Sequence, residues 1–184
     1  VIKNSFSVIT HTRFRYRGNN IIFCSSYFLA YCNTSVTMFR YDGSFVTEVG
    51  TKGRGPNEYL SVSDVDINPE NESIYIASGE KFLVYNKNGT LIRTFKNPYK
   101  PERMNFKFTG DGILCYYFND LGNIENSFIL IDTTGKVIKN YPNRYPWKRK
   151  APGVFYQGEN IFYRFNHQLF RKEIYCDTIF YFKN

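Results

Sequence analysis

The amino-acid sequence predicts an all-β chain built from four-stranded antiparallel blades, the architecture of a β-propeller. Three observations carry this. Phe and Tyr number 18 and 16 of 184 residues, while alanine stands only at positions 30, 77 and 151. Aromatic and β-branched side chains fit a pleated, half-buried surface, whereas alanine is the best helix former. A polar turn ending in glycine recurs at Gly43, Gly89 and Gly135, with 46 residues between successive glycines. Four strand-like runs fall within each such period, and roughly 46 residues is the length of a propeller blade.

Each turn has a local cause. Tyr41-Asp42-Gly43, Asn86-Lys87-Asn88-Gly89 and Asp132-Thr133-Thr134-Gly135 place Asn, Asp and Gly where a tight hairpin needs positive φ. The strands around them read in order. Ile21–Cys24 and Tyr27–Cys32 flank a turn at Ser25-Ser26, and Val36–Tyr41 follows, which makes a first, irregular unit. The second unit holds Val62–Ile67, Ser73–Ser78, Phe82–Tyr85 and Thr90–Phe95, and the third Asn105–Thr109, Ile113–Phe118, Ser127–Ile131 and Lys136–Tyr141. Gly153–Gln157, Asn160–Arg164, Leu169–Tyr175 and Thr178–Phe182 make the last. Phe82–Tyr85 and Phe128–Ile131 are continuous apolar runs, as expected of strands buried on both faces. The runs after each glycine mix in Lys, Arg and Thr, as an outer edge strand should. The expected organisation is one domain over residues 1–184, in units 1–50, 51–96, 97–142 and 143–184.

Composition narrows the function. The formal net charge is +8, which suits nucleic acid, an acidic glycan or an anionic surface, or simply a basic protein whose charges are scattered. No apolar run approaches the roughly 18 residues of a membrane-spanning helix. The chain begins at Val1, consistent with a removed leader or a longer parent chain. Cys24, Cys32, Cys115 and Cys176 form no Cys-x-x-Cys pair, so neither a zinc ribbon nor a thioredoxin-like site is indicated. Free thiols packed in strands are the expectation.

The segment Gly50-Thr51-Lys52-Gly53-Arg54-Gly55-Pro56-Asn57-Glu58-Tyr59-Leu60 resembles a loop of the bacterial 6-bladed β-propeller proteins of unknown function, which are NHL- and TolB-like. That family carries a Gly-x-Gly-x-Gly-Pro-x-Glu-Tyr-like stretch; here Thr51-Lys52 separates the first two glycines. Asp177-Thr178-Ile179-Phe180 resembles a second recurrent motif, and the likeness runs from about Ala30 to Phe182. The resemblance implies six blades and an extracytoplasmic place: periplasmic, secreted or lipid-anchored. Six blades would need about 276 residues, and 184 make four units. Part of a six-bladed ring, a small four-bladed ring, or a ring completed by a second copy would each account for this.

Two stretches offer ligand-binding candidates. In the first, glycines let a backbone approach a ligand closely, Arg54 can hold a carboxylate or phosphate, and Glu58 and Tyr59 either join it or pin the loop. No Gly-Lys-Ser/Thr or helix follows, so this is not a nucleotide-phosphate loop. The second is Arg144–Pro152, where Trp147 can stack on a sugar or base and Lys148 and Arg149 can hold acidic groups. In both, the plainer reading is a loop shaped for its own packing. His11 and His167 have no partner at ligand spacing, and Asp64, Asp66, Asp111 and Asp120 read as strand-edge or turn carboxylates. No catalytic residue, metal ligand or cofactor is expected. The leading expectation is a non-enzymatic binding or scaffold propeller recognising a glycan, a peptide or a protein, with self-association where the ring is incomplete. The alternatives are a lyase or lactonase-like propeller enzyme with Asp, Asn or His around a channel metal, and a basic nucleic-acid-binding module.

Overall fold

The computed structural model describes residues 20–99, 104–119, 122–144, 146–148, 161–166, 168–172 and 177–182. The chain forms two compact units, residues 1–100 and 101–184. The first holds β1 (Asn20–Phe23), β2 (Tyr27–Cys32), β3 (Ser35–Arg40) and β4 (Phe45–Glu48), then β5 (Asp64–Ile67), β6 (Ile74–Ser78), β7 (Lys81–Tyr85) and β8 (Leu91–Lys96). The second holds β9 (Met104–Thr109), β10 (Gly112–Tyr117), β11 (Asn126–Ile131) and β12 (Val137–Pro142), then β13 (Ile161–Phe165), β14 (Gln168–Lys172) and β15 (Ile179–Phe182). Within each sheet every strand pairs antiparallel with its neighbour in sequence. The result is three four-stranded sheets and, among the described residues, a three-stranded one. The strand expected at Gly153–Gln157 lies outside the described residues.

The repeat is visible bond by bond. Arg40, Asn86 and Asp132, 46 residues apart, each receive the N–H of the glycine three places on, at 2.9, 2.9 and 3.1 Å. Each also donates its own N–H to the residue after that glycine, Ser44, Thr90 or Lys136, at 2.9 Å. Gly43, Gly89 and Gly135 have φ of +86°, +81° and +93°. The register of each hairpin shifts at the strand end before its turn, the signature of a turn closed by a glycine bulge. In the second and third turns one oxygen, Asn86 Oδ1 or Asp132 Oδ1, accepts two further backbone N–H groups within 3.0 Å. The first turn has Arg at that place, and Asp42 Oδ1 takes the role by accepting Ser44 N at 2.8 Å. The unit expected to be irregular is therefore a regular four-stranded sheet, because its hairpin is rescued by a carboxylate two residues later.

Burial follows strand position. β6 is buried throughout, as are all of β7, β10 and β11 except their first residues. β8 alternates, and β12 is exposed except at Tyr141. The core of the first unit joins Leu29, Tyr31, Val36 and Met38 of one sheet to Val65, Ile74, Ile76 and Leu83 of the next. In the second unit Leu114, Tyr116, Phe128 and Leu130 meet Leu169, Phe162, Phe180 and Phe182. Fully burying such a side chain contributes roughly 1.5–3 kcal/mol. The buried Arg171 guanidinium lies 3.7 Å from the ring centre of Tyr116 and 4.7 Å from that of Phe162, so aromatic faces help to stabilise its charge.

Candidate functional site

The connection from β4 to β5 is a loop built to be rigid. Val49 is buried and its N–H donates to Val36 O at 2.8 Å. Beyond it, Tyr59 N donates to Thr51 O at 3.0 Å and Gly53 N to Tyr59 O at 3.0 Å, a short parallel bridge between Lys52 and Tyr59. Glu58 closes the tip from inside. Its N–H donates to Gly55 O at 3.2 Å, and its Oε2 accepts Gly55 N at 2.8 Å. A Cβ at Gly53 would come 2.0 Å from that same Oε2. A side chain at 53 would push the Glu58 carboxylate, the movable end of a flexible side chain, out of this position. Lys81, from β7, donates Nζ to Gly55 O at 3.2 Å and Pro56 O at 3.0 Å.

This architecture sorts the three candidates of the loop. Glu58 is half-buried and serves the loop itself. Tyr59 is buried in the first core, where burial pushes its phenol up to about 12. Arg54 is exposed between the two glycines, with Lys52 and Leu60 exposed nearby. The chemistry left open to a ligand is a guanidinium fork on a fixed backbone, with lysines at its base.

In the second unit, Trp147 is half-buried and its N–H donates to Gly122 O at 3.1 Å. Gly122 has φ of +76°, and a Cβ there would meet Trp147 O at 1.8 Å. The indole-bearing segment thus docks on the turn before β11, and Lys148 beside it is exposed. Arg149 lies outside the described residues, as do His11, His167, Asp120 and Cys176.

Three local arrangements carried no motif. Tyr31 OH donates to Asp64 Oδ1 at 2.5 Å, joining two sheets, and Asp64 Oδ1 also accepts Val65 N at 2.9 Å. Burial, and then the negative charge of Asp64, push the Tyr31 phenol far up. Asp64 and Asp66 are buried on β5, the edge strand of its sheet; Asp111 is exposed at the β9–β10 turn. At the β1–β2 turn, Ser25 Oγ donates to Glu72 Oε1 and Tyr41 OH to Cys24 O. Burial raises the Cys24 thiol to about 11. At Cys32 burial acts upward too, but the hydroxyls and N–H groups of Ser35 and Thr34 outweigh it and lower the thiol. Cys24, Cys32 and Cys115 are free thiols. Among the described residues no three His, Cys, Asp or Glu side chains gather as metal ligands would, and no helix is long and apolar enough to cross a membrane.

Known structures share this fold at low identity. A Bacteroides fragilis protein assigned as exported superposes with a TM-score of 0.71 at 18% identity, over 97% of this chain and 52% of that one. The chain thus spans about half the length of that neighbour. BamB of Moraxella catarrhalis gives a TM-score of 0.52 at 11% identity, over 83% and 41% of the two chains. The Pan2 WD40 domain of Neurospora crassa gives 0.51 at 13%, over 67% and 35%. With the antiparallel four-stranded sheets, these likenesses show the fold as that of a β-propeller. No curated protein sequence matches the chain. The profile of one protein family, described as a domain of unknown function (DUF4934), matches residues 15–184.

Proposed function

The chain belongs to the DUF4934 family, and from that premise we propose that it is a non-enzymatic binding or scaffold propeller, working outside the cytoplasm and holding an acidic protein segment at the Gly53–Tyr59 loop. In this reading residues 1–184 act as one propeller domain in units 1–50, 51–96, 97–142 and 143–184. One observation carries the reading. The only carboxylate of the loop, Glu58, is turned onto Gly55 N, and Lys81 is held on Gly55 O and Pro56 O, while Arg54 faces solvent. A loop ordered before binding loses little entropy on capture, and a guanidinium fork matches a carboxylate in two hydrogen bonds. The exported assignment of the Bacteroides fragilis neighbour supports an extracytoplasmic place.

The test uses polyglutamate as the probe and uncharged dextran as the control, with binding to the immobilised chain followed by surface plasmon resonance at low salt. Arg54→Ala should weaken polyglutamate binding about tenfold, the loss of one charge-assisted contact of roughly 1.4 kcal/mol, and leave the melting temperature unchanged. Lys148→Ala, which removes the same charge elsewhere, should change it far less. Equal losses in the two variants would mean that net charge, not the loop, attracts the probe, and the site assignment would fall.

A further inference from the structure

The third sheet ends on a basic edge that continues past its last strand. β12 stands at the margin of its sheet, paired to β11 from Val137 opposite Ile131 to Pro142 opposite Asn126. The two stretches stay side by side beyond it: Asn143 N donates to Glu125 O at 2.9 Å, and Trp147 N to Gly122 O at 3.1 Å. Asn143 Nδ2 also donates to Ile124 O at 3.2 Å. Trp147 is thus held in place over a glycine whose Cβ would come 2.7 Å from its indole Cγ, with part of its surface exposed. Lys136, Lys139, Arg144 and Lys148 lie along this edge, all exposed, and no Asp or Glu stands between positions 136 and 148. On the facing stretch Glu125 is exposed, while Asp132 at the hairpin is spent on backbone N–H groups. Lys and Pro on an outer strand discourage pairing with a further strand, so this edge offers side chains rather than backbone.

We propose that this edge binds an acidic glycan. The ring of one uronic-acid unit lies on the exposed part of Trp147, its carboxylate meets Lys148 and Arg144, and later carboxylates of the same polymer follow toward Lys139 and Lys136. The face of an indole is electron-rich and attracts the C–H groups of a sugar ring. The cations beside it select a ring that bears a carboxylate, and a row of one sign favours a linear polyanion over a neutral sugar. Nucleic acid is the other linear polyanion, but proteins that hold single strands stack successive bases on several aromatic rings. Among the described residues of this edge the second ring, Tyr141, is committed to the second core and to Lys139, whose Nζ lies 4.9 Å from the ring centre. That leaves one stacking surface in a row of cations, which suits a charged sugar polymer. The site lies within the second unit and uses no residue of the Arg54 loop.

Surface plasmon resonance on the immobilised full chain tests this at low salt, with polygalacturonate as the probe. Trp147→Ala should weaken binding about tenfold, the weight of one stacked ring, and Trp147→Phe, which keeps a ring, should recover most of it. The double variant Arg144→Ala, Lys148→Ala should lose at least as much with an unchanged melting temperature, since both side chains are exposed. Lys87→Ala, which removes an exposed cation of the first unit, should lose little. Trp147 is the single tryptophan, so its fluorescence reports the site directly. Saturating polygalacturonate should shift the emission to the blue, while dextran, rings without carboxylates, and polyglutamate, carboxylates without rings, should leave it in place. An unshifted emission with polygalacturonate bound overturns the proposal. So do equal losses in Lys87→Ala and the double variant, which would mean that net charge alone attracts the polymer. Oligothymidylate that binds more tightly than polygalacturonate and shifts the same emission overturns it in favour of nucleic acid. Arg54→Ala should leave the emission shift intact, so this site and the loop fail separately.

Discussion

Replacing Tyr31 by Phe removes a single hydroxyl from the first core, and its cost can be worked from the geometry. Tyr31 and Asp64 are both buried, and the phenol donates to the carboxylate at 2.5 Å across the gap between two sheets. A hydrogen bond to a charged group contributes about 1.5–3 kcal/mol, and most of that is lost when the acceptor stays buried. Val65 N still reaches Asp64 Oδ1 at 2.9 Å, which places the expected loss near the middle, about 2 kcal/mol. In a chain of this length that lowers the melting temperature by about 4–8 °C. The assay is urea unfolding at neutral pH followed by circular dichroism, with Asp64→Asn as the second arm of a cycle. Asparagine keeps an oxygen to accept the bond but carries no charge, so Tyr31→Phe should cost about 1 kcal/mol less in that background. A Tyr31→Phe loss under about 0.5 kcal/mol, or strict additivity of the two changes, would refute the claim that this pair joins the sheets.

Other expectations follow from the same core. Burial pushes Tyr59 and Tyr85 up to about 12, and Tyr27 and Tyr31 further. A phenol whose folded value is raised contributes stability that is complete below the unfolded value of about 10 and is lost as pH rises toward the folded one. The urea midpoint should therefore be level up to about pH 9 and fall above about pH 10; a midpoint unchanged to about pH 11.5 would show that these phenols ionise freely when folded. Gly122→Ala sets a Cβ 1.8 Å from Trp147 O at a φ of +76°. It should cost about 2 kcal/mol or more and shift the fluorescence of the single tryptophan to the red, whereas an unshifted spectrum would mean that the Trp147 segment does not depend on that turn.

Legibility in the sequence tracked the range of the interaction. The hairpins were readable because Asn86, Asp132 and their glycines act within five residues, through bonds that repeat at the same spacing. The double-sided burial of Phe82–Tyr85 and Phe128–Ile131 was readable because a strand without alternation has no solvent face. The loop at Gly53–Tyr59 was readable as a feature, but not the division of labour within it. That division rests on whether Glu58 folds back onto Gly55 N, and sequence spacing permits this without requiring it. The first unit, expected to be irregular, is a regular four-stranded sheet; its turn carries Arg40 at the place of Asn86 and Asp132, and the substitute acceptor, Asp42, sits two residues later.

By itself, then, the sequence determined the blade repeat, its hairpins, the buried middle strands and the loop that displays Arg54. Each is set by chemistry within one period of the chain. Only the tertiary structure decided that Tyr31 joins Asp64 and that Ser25 joins Glu72, contacts separated by 33 and 47 residues. Local propensities set which residues of a strand share a face, but what that face meets depends on where the next sheet comes to rest, and no single period of the repeat contains that information.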